Sequence, residues 1–146
     1  MAGKPLKLRA KDAEDVQVIS AILQDAIAPI LDMTYRPDEK DFVMVVQRFC
    51  REKGPEAVAA CFERIRCAVH VQGVTGVKRQ DIDPNRPDAM LDLLAVMPEK
   101  DGLQFVFAGG GKIRLTLADW SLILEDFGEA WPTKHCPSHP GEAASA

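Results

Sequence analysis

The N-terminal part of the chain contains one stretch with helical periodicity. Asp12 has the character of an N-cap, because the acidic Glu14 and Asp15 follow it in the first turn, where the helix dipole favours them. Apolar residues then recur at steps of three or four: Val16, Ile19, Leu23, Ala26 and Ile27. This stripe predicts an amphipathic helix that stops near Pro29, since proline removes a backbone donor.

From that proline onward, apolar and polar residues alternate with period two. Besides a short edge strand at 6–9, the alternation predicts seven strands, at 30–35, 42–49, 64–71, 74–80, 91–97, 103–108 and 112–117. Turn-forming residues separate most of them, including Gly109, Gly110 and Gly111. Connections this short suit antiparallel neighbours and are too short for parallel crossovers.

Two further helices are predicted. Residues 56–62 form one or two turns after Pro55. Near the C-terminus, Asp119 precedes a stripe with helical spacing, and Gly128 follows it as a C-cap. The stripe consists of Trp120, Ile123, Leu124 and Phe127.

The predicted fold class is therefore α+β. We expect a strongly bent antiparallel sheet or partly open barrel of about seven strands, with an early helix and a capping C-terminal helix. That element order is similar to a pleckstrin-homology-like barrel, which is an analogy of order alone. The length predicts a single domain at 5–131 and a disordered tail at 132–146.

Composition narrows the class of protein rather than its activity. The chain has 146 residues and a formal net charge of -4, which argues against a dedicated nucleic-acid binder. Its apolar runs are too short for a membrane span or a signal peptide, so we expect a cytoplasmic protein. The four cysteines contain no CxxC pair, and we interpret them as reduced, mainly hydrophobic residues.

The strongest candidate for a binding surface is a set of basic residues on strand faces. Arg64, Arg66 and His70 share one face of a predicted strand, and Lys112 and Arg114 share the polar face of another. If these strands adjoin, the cations form one patch that could hold a phosphate, an acidic peptide or an RNA backbone. The alternative is that they are the solvated faces of half-buried strands. The patch contains no aromatic residue that could stack a base.

Other motifs are weaker, and from them we expect no catalytic residue, no metal and no cofactor. The Gly109–Lys112 run is not a phosphate loop, because Ile113 and a strand follow the lysine. His135, Cys136 and His139 lie in the predicted tail and fall short of the four ligands of a structural zinc site.

Four segments resemble a known family: LKLR at 6–9 with ISAILQDA at 19–26, QRF at 47–49, FAGGGKIRL at 107–115, and LEDFGEAWPT at 124–133 followed by HP at 139–140. Together they are similar to short alphaproteobacterial proteins known only as domain of unknown function number 2948. The resemblance implies a bacterial cytosolic protein and carries over no activity, cofactor or site residue.

We therefore expect a non-catalytic binding or adaptor module that engages a protein or an anionic ligand through its basic sheet face. Two alternatives stay open: a small enzyme that gathers His70, an arginine and a carboxylate, and a weak RNA or DNA binder. A homodimer is also left open.

Overall fold

The computed structural model of the chain describes residues 6–49 and 63–132, with the backbone alone for residues 63 and 129–132. The helix predicted at 56–62 and the tail after residue 132, with its histidines and Cys136, lie outside the described residues.

The described elements are one α-helix and eight strands. In chain order they are β1 (Lys7–Ala10), α1 (Ala13–Leu23), β2 (Ile27–Pro29), β3 (Met33–Arg36), β4 (Asp41–Phe49), β5 (Glu63–Gln80), β6 (Met90–Glu99), β7 (Gly102–Phe107) and β8 (Lys112–Pro132). Short 3-10 turns at Ile30–Asp32 and Pro37–Glu39 flank β3. The coarse prediction of one helix with a strongly bent antiparallel sheet is confirmed.

All strand pairs are antiparallel, in the order β1-β8-β5-β4-β2-β6-β7, with β3 added to β4. The first half of β8 also pairs with β7. The two strands at the ends of this order, β1 and β7, are therefore both neighbours of β8. The pairing between β4 and β6 through β2 is short, because β2 forms one residue pair with β4 and three with β6. The sheet is therefore strongly bent, without the even pairing of a regular barrel.

Two long strands form the centre of the sheet. β5 has 18 residues and β8 has 21, and they pair from Glu63–Pro132 at one end to Gln80–Lys112 at the other. The predicted strands 64–71 and 74–80 are thus halves of one strand, β5. β7 and β1 add to successive halves of β8, which makes this strand the common partner of both.

The predicted C-terminal helix is wrong. Its residues continue β8, where Leu124 pairs with Leu8 of β1 on one side and with Val69 of β5 on the other. A short apolar run fits either period, and here two sheet partners outweigh the helical spacing. Asp119 has a φ of 50° within the strand and caps no helix. The pleckstrin-homology-like element order, which needs that helix, is not confirmed.

The early helix is confirmed and is shorter than predicted. The Asp15 amide donates to the Asp12 side chain at 2.9 Å, and α1 ends at Leu23 because Ile27 is taken into β2. Val16, Ile19 and Leu23 are buried, while Ser20 Oγ accepts a hydrogen bond from the Val96 amide of β6. Among the described residues, no helix is long and apolar enough to cross a membrane.

Period-two burial defines the core between the helix and the curved sheet. Ile65, Cys67, Val69 and Val71 of β5 are all buried, as their alternation predicts. Their neighbours on other strands include Met44, Val46, Leu122, Leu124, Phe42 and Phe105. The thiol of Cys67 is free, and burial raises its pKa well above the usual range. The thiol is therefore unreactive, and Cys67 serves as a packing residue of the core.

A buried ion pair crosses this core. Arg48 of β4 is 1% exposed, and its Nε and Nη2 donate to the two carboxylate oxygens of Asp126 in β8 at 2.8 and 2.6 Å. The Leu6 amide donates to the same carboxylate at 2.8 Å. Burial alone would raise the pKa of Asp126, yet the bonds from Arg48 and Leu6 hold it below its ordinary value.

Replacing one partner of this pair should destabilise the protein strongly. We expect Arg48→Met to lower the free energy of unfolding by about 3–5 kcal/mol, because the Asp126 carboxylate stays buried without its countercharge. The double variant Arg48→Met with Asp126→Leu should lose less than Arg48→Met alone, since no charge is then left buried. Urea unfolding followed by circular dichroism measures the parent, Arg48→Met, Asp126→Leu and the double variant. Strictly additive losses would contradict a coupled pair.

Candidate functional site

The long β5–β8 pairing is irregular in its middle. The register shifts between Gln72 and Val74 and again between Val74 and Gly76. Gly73 has a φ of 86°, and a Cβ built there would lie 2.5 Å from the Ala118 carbonyl oxygen and 2.9 Å from that of Asp119. This bulge requires glycine on one strand. Opposite it, β8 turns through the left-handed conformation of Asp119, a geometry that β-bulges often bring to functional sites.

A turn from the neighbouring strand holds the bulge. The Lys40 carbonyl accepts hydrogen bonds from the Gly73 amide at 2.9 Å and from the Val74 amide at 2.8 Å. Lys40 ends the 3-10 turn Pro37–Glu39 and has a φ of 53°. Two successive amides of β5 that have left the regular ladder are thereby satisfied.

A carboxylate beside Lys40 fixes this turn. The Asp41 side chain is 6% exposed and accepts from Nε of Arg36 at 2.9 Å and from Nη2 of the same guanidinium. His70 Nε2 lies 2.9 Å from Asp41 Oδ2. The hydrogen bonds from Arg36 hold the pKa of Asp41 below its ordinary value, and the bond to His70 adds to the effect. The Arg36–Asp41–His70 cluster thus joins β3, β4 and β5.

A cleft of about 620 Å³ opens at the bulge. It is lined by Arg9, Lys11, Gln72, Asp119, Trp120 and Ser121. Arg9 and Lys11 are exposed, and neither side chain donates a hydrogen bond within the described residues. Two cations with uncommitted donors therefore stand at one side of a mostly polar cleft.

The remaining lining of the cleft consists mainly of polar groups. Ser121 Oγ donates to Gln72 Oε1 at 3.1 Å, which orients the Gln72 amide so that its nitrogen can donate elsewhere. Trp120 packs partly on the hydrophobic core and is also one of the residues that border the cleft. Asp119 adds a single carboxylate at the exposed rim.

The cleft and the Arg36–Asp41–His70 cluster are neighbours on one sheet. Gln72 pairs with Ser121 on one side and with Asp41 on the other, so the three residues form one row. At about 4.8 Å between strands, Asp41 lies roughly 10 Å from Ser121 along that row. His70 is two residues before Gln72 on the same face of β5. The cluster supports the strand that contributes Gln72 to the cleft.

Four of the five basic residues predicted as one patch are divided between the two ends of the β5–β8 pair, and His70 lies between them. Arg66 pairs with Phe127, whereas Lys112 pairs with Gln80, 14 residues further along β5. That separation is roughly 45 Å of strand at about 3.3 Å per residue. The adjacency on which the patch depends is therefore not formed, because β5 is one long strand instead of two.

Their local environments differ as well. Arg64 lies with its guanidinium 3.8 Å from the centroid of the Phe49 ring and donates to the Gln47 carbonyl at 3.2 Å. Burial lowers the pKa of Arg64. At the other end, Arg114 Nε is 2.9 Å from Glu99 Oε1. His70 is the member of the predicted set that lies beside the cleft.

Sequence reasoning did not identify the cleft. Arg9 belongs to a predicted short edge strand, and Lys11 belongs to no predicted element. Trp120 was assigned to the wrong helix. Gly73 gave the one local signal, because a glycine that interrupts a clean alternation is typical of a bulge.

The polar side chains that line the cleft can bind a ligand. Within the described residues, no group of three His, Cys, Asp or Glu side chains is arranged to hold a metal ion. His70 has an acid–base side chain with a carboxylate partner, but it is not among the residues that line the cleft. The cleft itself offers two cations, an amide donor and a carboxylate acceptor.

Comparison with known proteins identifies the family. The family model described as "Protein of unknown function (DUF2948)" matches residues 6–139. This match covers nearly the whole chain, so the protein belongs to that family, as its segments predict. No curated protein and no solved structure matches the chain.

The bulge should tolerate no side chain at position 73. We expect Gly73→Ala to cost about 3 kcal/mol or more, because a left-handed φ and a collision with backbone oxygens add together. Gly109→Ala is the matched control, since Gly109 has a φ of 89° with no atom within 4 Å of the added Cβ. It should cost only about 1–2 kcal/mol. Equal losses in chemical denaturation would contradict the close approach at Gly73.

Asp41 should stabilise the fold in a pH-dependent way. Because its pKa is lower in the folded state, its contribution is fully present above about pH 4 and disappears as pH falls through the lowered pKa. We expect Asp41→Asn to cost about 1–2 kcal/mol at pH 7 and progressively less below pH 4. Urea midpoints between pH 2 and pH 7 measure this. The exposed Asp32→Asn serves as the control, and a loss for Asp41→Asn that is independent of pH would contradict the assignment.

Proposed function

We propose that this protein is a non-catalytic binding module that holds an anionic ligand in the cleft at the β5–β8 bulge. One observation carries the proposal. The bulge opens a cleft beside Arg9 and Lys11, whose cationic groups are exposed and make no hydrogen bond within the described residues. Such groups favour carboxylate or phosphate, and charge-assisted bonds to anions are the stronger kind.

The proposed binding surface differs from the basic sheet face that the sequence predicts. An anionic ligand remains the partner, while Arg9 and Lys11 replace Arg64, Arg66, Lys112 and Arg114 as the groups that hold it. His70 keeps a role as a positioning residue, since its bond to Asp41 helps to hold the turn against the bulge. We place this activity in the bacterial cytoplasm, which is in keeping with the free thiol of Cys67.

A small enzyme is the second candidate, favoured by the gathering of Arg36, Asp41 and His70. Two features speak for positioning instead. Asp41 divides its bonds between His70 and Arg36, and the described hydroxyl of the cleft, Ser121 Oγ, is committed to Gln72. A nucleophile or substrate held against the histidine would be needed for acid–base work.

Removal of the two cations should weaken anion binding. We expect inorganic phosphate, added at constant ionic strength, to shift the NMR signals of Arg9 and Gln72. The variant Arg9→Gln with Lys11→Gln should bind phosphate about tenfold more weakly, because two charge-assisted bonds are lost.

The matched control is Lys78→Gln with Arg79→Gln, which removes the same charge from exposed residues outside the cleft. It should bind phosphate like the parent protein. Equal titrations of the parent and the Arg9–Lys11 variant, or equal weakening in both double variants, would show general surface charge rather than a site.

A further inference from the structure

The cleft lies where one edge of β8 loses its neighbouring strand. β5 pairs with β8 from end to end, so β1 and β7 share the other edge. β7 pairs with that edge up to Thr116, and the Leu117 amide donates to the Asp101 carbonyl at 2.9 Å. β1 pairs with it from Leu122 onward. Within the described part of the chain, residues 118–121 therefore have no strand neighbour on this edge, and three of these four line the cleft.

The peptide groups of this segment direct two successive amides to the open edge. The carbonyl oxygens of Ala118 and Asp119 lie on the β5 side, since a Cβ built on Gly73 would be 2.5 and 2.9 Å from them. The described peptide bonds are all trans, and in a trans peptide the N–H points opposite to the C=O. The amides of Asp119 and Trp120 are therefore directed away from β5. Trp120 thus borders the cleft with its backbone, although its side chain packs on the core.

These two amides form a site for an oxyanion. A regular strand turns successive amides to opposite edges, whereas here both share one edge. The left-handed Asp119, with a φ of 50°, produces this arrangement, and successive amides that face one side make the anion-binding concavity called a nest. Arg9 and Lys11 line the same cleft. An oxyanion there can accept bonds from the backbone of Asp119 and Trp120 while the two cations balance its charge.

The charges of the lining favour a carboxylate over a phosphate. Arg9 and Lys11 contribute two positive charges, and Asp119 contributes a negative charge at the residue that supplies one nest amide. A phosphate monoester carries about 1.5 to 2 negative charges at pH 7, so it brings excess charge against this carboxylate. A carboxylate ligand carries one, and its two oxygens suit a pair of amides and a guanidinium fork.

The remainder of the cleft suits hydroxyl groups. Its volume of about 620 Å³ falls within the roughly 300–1,000 Å³ of sites that hold whole small molecules, so a carboxylate alone fills only part of it. Most of the lining side chains are polar. Because Gln72 Oε1 accepts from Ser121, the Gln72 amide nitrogen can donate to a ligand oxygen. A ligand rich in hydroxyls satisfies such groups, whereas an apolar acid would leave them without partners.

From these features we infer that the cleft binds a polyhydroxylated carboxylate, in the size class of a sugar acid. The carboxylate accepts hydrogen bonds from the Asp119 and Trp120 amides and meets Arg9 and Lys11, and the hydroxyl groups lie toward Gln72. This inference rests on the proposed function and adds the backbone donors and the ligand class to it.

Amide hydrogen exchange tests the nest before any ligand is added. In the free full-length chain the amides of Asp119 and Trp120 should exchange at least about tenfold faster than the amide of Leu124, because Leu124 lies between β1 and β5 and they face the open edge. Protection of all three amides to the same degree would mean that the two donors are already occupied, and it overturns the inference.

Three probes of matched shape test the ligand class. Glucuronate, glucose 6-phosphate and glucose are titrated into the full chain at pH 7 and constant ionic strength, by NMR and calorimetry. We expect glucuronate to bind about tenfold more tightly than glucose 6-phosphate, to shift the Asp119 and Trp120 amide signals, and to slow their exchange. Glucose should not bind measurably. Propionate, which has the carboxylate without the hydroxyls, should bind about tenfold more weakly than glucuronate.

Two substitutions of Asp119 separate its charge from its conformation. Asp119→Asn keeps a residue that tolerates the left-handed region but removes the charge, so glucose 6-phosphate should approach the affinity of glucuronate. Asp119→Val disfavours that conformation and should weaken both ligands at least tenfold. Circular dichroism checks that each variant is folded, and Asp119→Asn alone decides the charge if Asp119→Val does not fold. An unchanged ratio of the two affinities in Asp119→Asn overturns the preference for carboxylate.

The outcomes separate the inference from the proposed function. Glucose 6-phosphate that binds as tightly as glucuronate in the parent protein, with both sensitive to Arg9→Gln, overturns the carboxylate ligand and leaves the anion site intact. Propionate that binds as tightly as glucuronate overturns the role of the hydroxyls. Absence of binding by every anion, inorganic phosphate included, overturns the anion site itself.

Discussion

The pairing of β5 with β8 is the constraint on which the rest of the structure depends. The two strands run side by side over 18 and 21 residues, and every other strand except β2, β3 and β6 pairs directly with one of them. Because side chains alternate along a strand, a slip of one residue in this register would turn Leu122 and Leu124 outward and Ile123 and Glu125 inward. The register of two strands therefore determines which residues form the core.

The buried Arg48–Asp126 pair gives that register a second determinant. Leu residues at neighbouring inward positions could exchange places with little loss, but a bidentate ion pair has only one alignment that satisfies both partners. The carboxylate also receives the Leu6 amide, and the Asp126 amide donates to the Leu6 carbonyl, so β1 is aligned by the same residue. Buried pairs contribute little net stability compared with apolar packing, and alignment is the use that best explains this one.

The sequence pattern predicted the features that depend on interactions between residues close together in the chain. The cap at Asp12, the helical stripe after it and the inward residues of β5 were all readable, because each depends on neighbours within a few positions. The error at 120–127 has a different origin. Ser121–Leu124 is apolar enough for either period, and only the distant partners Leu8 and Val69 decide in favour of a strand. The same limit hid the cleft, since Arg9 pairs with Ile123 and Gln72 with Ser121, partners that lie 114 and 49 positions away in the chain.

Arg9 and Lys11 admit a simpler explanation, because charged residues on a short edge strand also prevent unwanted pairing with other chains. Edge protection needs nothing beyond exposure and charge. It does not account for a glycine that only a bulge requires, for the left-handed Asp119 opposite it, or for the turn whose carbonyl accepts hydrogen bonds from both amides of the bulge. These features cost conformational freedom and regular pairing in the middle of the longest strand pair of the fold. That place is where the sheet opens next to the two cations, and a binding site explains the cost as well as the charge.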